Sequence, residues 1–125
     1  MFKLHVVAND KTEVLERFPA TEEIVLGELL KLSAGKLVKS GATEMPQYVA
    51  ESGNRDGFVT VKRIYEDEIY ETVLAADGAS LKIGDKVTIH TDGLKATATT
   101  TSGVFEIVEI VDPAVGGAVR GLFRR

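Results

Sequence analysis

Two stretches of this 125-residue chain read alike, and they constrain the fold more than any other feature. Ile24-Val-Leu-Gly27-Glu-Leu-Leu-Lys-Leu32 is followed by Gly35-Lys-Leu, and later by Gln47-Tyr48-Val49-Ala50-Glu51. Leu81-Lys-Ile-Gly84-Asp-Lys-Val-Thr-Ile89 is followed by Gly93-Leu-Lys, and later by Val104-Phe105-Glu106-Ile107-Val108-Glu109. Gly27 stands as far from Tyr48 as Gly84 does from Phe105. A backbone solution adopted by one copy is therefore expected in the other. The second copy is plainly β: Val87 and Ile89 alternate with Lys86, Thr88 and His90, and Asp92-Gly93 tolerates the positive φ of a hairpin turn. By itself the first copy is ambiguous. Ile24, Leu26, Leu29, Leu30 and Leu32 would also form a helical stripe, with Thr21 as N-cap and Glu22 and Glu23 in the first turn. Gly27 opposes that helix, because an interior glycine costs about 1 kcal/mol there. The duplication decides for a strand at Leu29–Leu32 with a turn at Ala34-Gly35.

The rest of the chain agrees. Val, Ile and Thr make up about a quarter of it, and their branched side chains suit a pleated surface. Phe2–Val6 alternates apolar and polar, while Thr12–Phe18 is indecisive between a short helix and an edge strand until Pro19 closes it. Phe58–Leu74 predicts two long strands around the acidic corner Glu66-Asp67-Glu68, as a hairpin or as one strand with a bulge. Ala96–Gly103 reads as a thin, Thr-rich edge strand and loop, and Phe105–Val111 and Ala118–Phe123 as strands. The expectation is one mainly β domain over residues 1–125, a small barrel or sandwich of about eight to ten short strands with at most one short helix. No apolar run is long enough to span a bilayer, and Met1–His5 lacks the order of a signal peptide, so a soluble protein made in the cytoplasm is expected.

Chemistry-bearing residues are sparse. The chain has no Cys, which removes thiol catalysis and Cys-based zinc sites. His5 and His90 would need a third ligand, with Asp92 the nearest candidate, and they read as solvated strand residues. Ser33, Ser40, Ser52, Ser80 and Ser102 all sit in turn-like settings outside any nucleophile elbow. Glu66, Asp67, Glu68 and Glu71 read as a solvated, aggregation-blocking face rather than an acid–base pair. Phosphate cradles are absent, and with a net charge of −4 the faint basic-aromatic run Val61–Tyr65 gives no nucleic-acid surface. No cofactor, metal or catalytic residue is therefore expected. Arg120, Arg124 and Arg125 form the one basic cluster, a solvated terminus or a contact for an acidic partner surface.

The run Gly27–Ala50, with Gly35, Pro46 and Gln-Tyr-Val-Ala after it, resembles phage and prophage head-decoration proteins, and so does Leu81–Ile89 with Gly103–Val108. This resemblance covers roughly residues 24–50 and 81–110. It implies a non-enzymatic, capsid-stabilising protein that binds the major capsid protein, self-associates, often as a trimer, and resides in the virion. It also implies an amino-terminal arm, residues 1–10, in which Phe2, Leu4 and Val6 would dock by strand addition. The alternative is a β-barrel ligand- or carbohydrate-binding module with Tyr48, Tyr65 or Tyr70 lining a pocket.

Overall fold

The computed structural model describes residues 1–6 and 14–124. Among them are ten strands and no helix: β1 (Lys3–Val6), β2 (Leu15–Pro19), β3 (Leu29–Ser33), β4 (Lys36–Lys39), β5 (Tyr48–Ala50), β6 (Phe58–Arg63), β7 (Ile69–Val73), β8 (Lys86–Val87), β9 (Phe105–Ile110) and β10 (Ala118–Phe123). They form two antiparallel five-stranded sheets, ordered β2-β6-β5-β3-β4 and β1-β7-β10-β9-β8. Apart from β1, each sheet is one continuous half of the chain.

The duplication seen in the sequence is a duplication of hydrogen bonds. Gly27 N donates to Ala50 O and Gly84 N to Ile107 O, both at 2.8 Å. Ala50 N donates to Glu28 O (2.9 Å) as Ile107 N does to Asp85 O (2.8 Å). Gln47 N reaches Leu30 O (2.9 Å) as Val104 N reaches Val87 O (3.0 Å), and Ala20 N reaches Gly57 O (3.0 Å) as Leu74 N reaches Gly117 O (2.9 Å). Even the corner is shared. Gly27 (φ 82°) and Gly84 (φ 98°) sit in the left-handed region, and the acid after each caps a backbone amide three residues back. Glu28 Oε1 accepts from Val25 N at 3.2 Å, and Asp85 Oδ2 from Lys82 N at 2.9 Å. Gly supplies the positive φ, and the carboxylate satisfies an amide that the turn would otherwise leave exposed.

Each sheet curls around its own apolar cluster. The first encloses Leu30, Leu37, Tyr48, Ala50, Val59 and Val61. The second encloses Val87, Phe105, Ile107, Val119 and Phe123, and takes in Phe2, Leu29 and Val49 from the first half. That shared layer holds the two sheets together. In the first sheet the outer strands β2 and β4 touch without pairing. In the second, Ala96 makes one isolated parallel bridge to Leu74, with Ala75 N donating to Ala96 O at 2.8 Å. Neither ladder closes, so of the two expected architectures the sandwich-like one is formed and the barrel is not.

One local expectation is corrected and two open readings are resolved. The first copy forms the expected strand, as β3 (Leu29–Ser33), and not the helix. Phe58–Leu74 is neither a hairpin nor a bulged strand, because β6 and β7 belong to different sheets and the acidic corner is the crossover between them. The indecisive stretch before Pro19 is an edge strand, β2.

Candidate interaction surface

On the outer face of the second sheet, register places opposite charges side by side. Lys3 on β1 faces Glu71 on β7, Glu71 faces Arg120 on β10, and Arg120 faces Glu109 on β9. The contacts are Lys3–Glu71 at 3.2 Å, Arg120–Glu71 at 2.9 Å and Arg120–Glu109 at 2.8 Å, with Arg124–Glu106 alongside at 3.5 Å. Bonds from Arg120 and then Lys3 hold the Glu71 carboxyl below the usual carboxylate range. Arg120 is raised in turn by its bonds to Glu109 and Glu71.

This ladder settles where the nominated partner residues lie. Arg120 and Arg124 are paired within their own sheet, and Arg125 falls outside the described residues. Phe2 is buried, its ring 5.5 Å from both Phe105 and Phe123, and its amide donates to Gly27 O at 3.0 Å. Leu4 packs against the same core. Val6 pairs by its backbone with Ile69. Lys3–Val6 is thus a strand of the second sheet, anchored by Phe2 just before it; positions 7–10 of the expected arm lie outside the described residues.

Between the halves lies a polar cluster that sequence reasoning missed. Lys62 is 2% exposed and Glu68 1%, and Lys62 Nζ meets Glu68 Oε1 at 2.6 Å. Lys62 also donates to Tyr70 OH (3.1 Å) and to Arg63 O (2.8 Å). Glu68 Oε1 accepts from Tyr65 N (3.0 Å) and from Tyr70 OH (3.2 Å). This corrects the reading of Glu68 as part of a solvated acidic face: it turns inward to satisfy a lysine on the other sheet. Its parity with Tyr70 and Thr72, both buried, is the signal that was available. The basic run Val61–Tyr65 is likewise not open to phosphates. Lys62 is buried, and Arg63 binds Glu16 (3.3 Å) and Tyr48 OH (2.8 Å). Tyr48 and Tyr70 are 2% and 0% exposed, so their rings fill the interior rather than an open pocket. His5 lies on β1 and His90 follows the isolated Ile89–Ala96 bridge outside the named strands, and no group of three potential metal ligands occurs among the described residues.

One open sheet edge is that of β2, which touches β4 without pairing with it. No strand among the described residues pairs with its outer side. Val14 is 67% and Leu15 52% exposed, and the exposed Arg17 lays its guanidinium over the Phe58 ring at 4.9 Å. Leu15 and Arg17 share one parity and look away from the first core, toward which Phe18 turns.

No family model and no curated protein matches the chain. Among solved structures, it is similar to the head fiber gp8.5 N base of bacteriophage phi29, with a TM-score of 0.65 and 22% identity. The match covers 90% of this chain and 94% of that one, and at this identity it establishes a shared fold.

Proposed function

We propose that this chain is a structural protein of a phage particle, mounted on the outside of the head as a capsid-decorating or stabilising protein, and that it works through surfaces without a catalytic step. One observation carries the reading: its fold follows the base of a phage head fibre across nearly the whole of both chains. The glycine and strand pattern resembling head-decoration proteins supports it from a separate direction. The partner of such a protein is the major capsid protein, and self-association as a trimer would match the symmetry of a head lattice. The ligand-module alternative draws no support from the tyrosines, since two of the three are interior.

The test is co-sedimentation of the purified protein with heads that lack it. Saturable co-pelleting that survives physiological salt is expected. A protein that stays in the supernatant at every salt concentration would sink the proposal. Light scattering on the free protein reports self-association separately.

A further inference from the structure

The two halves correspond strand for strand, and one correspondence is broken. Ala50 pairs with Val61 as Ile107 pairs with Gly121, which aligns β6 with β10. Glu16 pairs with Val61 and Arg17 with Thr60, as Tyr70 pairs with Gly121 and Glu71 with Arg120. β2 is therefore the counterpart of β7, with Leu15, Glu16 and Arg17 standing for Ile69, Tyr70 and Glu71. On β7 that segment is covered: β1 pairs with it through Lys3–Glu71, Leu4–Tyr70 and Val6–Ile69. On β2 no strand among the described residues pairs with it, β4 touching the strand without a ladder.

We propose that the outer edge of β2 over Leu15–Arg17 docks an extended segment of a partner protein, antiparallel to β2, with an acidic residue opposite Arg17. The sign follows from the internal comparison. On β7 the incoming strand meets Glu71 with a cation, Lys3, at 3.2 Å. At β2 the same place holds Arg17, whose recorded contact is an aromatic ring and not a carboxylate. Opposite charges across a strand pair favour pairing and like charges oppose it. Two residues on, the docked segment would lie across from Leu15, which favours an apolar side chain there. The backbone of an uncovered edge strand supplies the remaining bonds. A second copy of this chain is the poorer occupant, because its own β1 would set Lys3 against Arg17. The inference stands apart from the phage assignment, since it uses only the internal repeat.

The probe is a labelled synthetic peptide of residues 1–6 carrying Lys3→Glu, titrated into the full chain beside the unaltered peptide. Tighter binding of the Lys3→Glu peptide is expected, by about five-fold, an unlike-for-like charge difference across one strand pair. Amide shifts should concentrate at Leu15–Arg17, and Arg17→Glu, an exposed change, should invert the ranking. Shifts centred on β7, an unchanged ranking in Arg17→Glu, or no binding at millimolar peptide would overturn the proposal. Self-association that Arg17→Glu abolishes would overturn the choice of occupant and assign the edge to a second copy.

Discussion

Removing one charge of the Lys62–Glu68 pair is expected to be the most damaging polar change in this protein. Both groups are almost wholly buried between the sheets, where a charge without its counter-ion keeps most of its desolvation penalty. Taking Glu68 to Leu leaves the ammonium with two neutral acceptors, Arg63 O and Tyr70 OH. Taking Lys62 to Met leaves the carboxylate with two donors, Tyr65 N and Tyr70 OH. Each single change should cost about 3–5 kcal/mol. With a urea slope of about 1–2 kcal/mol/M, that lowers the unfolding midpoint by roughly 1.5–5 M. The double variant removes both charges and fills the space with apolar groups, so it should recover to within about 1 kcal/mol of the native chain. Equilibrium urea unfolding of the four proteins gives the coupling directly. Single variants within 1 kcal/mol of native, or a double variant as unstable as the sum of the singles, would refute the argument at about the precision of the assay.

Phe2→Ala should destabilise by about 3–5 kcal/mol, since it empties a site packed against Phe105 and Phe123; a thermal midpoint unchanged from native would show that β1 is dispensable to the second core. Gly84→Ala meets open space and should cost only the backbone strain of a positive φ, about 1–2 kcal/mol. Gly121→Ala should cost more, because an added Cβ would overlap the Glu106 carbonyl oxygen and crowd the Phe105 ring; equal urea midpoints for the two would contradict this. Glu71 is held below its ordinary range, so its contribution is present above about pH 4.3 and is lost as pH falls through the lowered value. Being a surface pair, it is worth about 1 kcal/mol at most. Arg120→Ala should therefore narrow the stability gap between neutral pH and about pH 3, and an undiminished gap in urea midpoints would count against it.

How much of this was legible in sequence depends on whether a residue's partner lies nearby along the chain. The corners were legible. Gly27 and Gly84 announce a positive φ, and the acid after each caps an amide three residues back, all within one turn. Ala118–Phe123 was legible to the residue, because the Gly116-Gly117 turn before it and the arginine tail after it bound a short run. The crossover at Glu66–Glu68 was not: a polar corner between two strands reads the same whether the strands pair or separate. Its outcome hangs on Lys62 turning inward to a carboxylate on the other sheet. Arg120 looked free for the same reason, since Glu71 is far from it in sequence and becomes its neighbour only through the β7–β10 register.

The duplication also separates what the backbone requires from what the surface is free to vary. Where the copies agree, geometry leaves little choice: glycines at positive φ, a capping acid, an apolar residue at each inward position such as Tyr48 and Phe105. Several of the differences face solvent. Arg17 stands for Glu71, so equivalent edges carry opposite charge. The β5–β6 turn is polar at Asn54-Arg55-Asp56, whereas the β9–β10 turn carries Pro113-Ala114-Val115 with Val115 exposed. Two copies of one scaffold are thus dressed with different chemistry. A buried scaffold selects no partner, so partner selection of the kind proposed for the β2 edge would rest on such divergent positions, with the charge reversal at Arg17 the clearest of them.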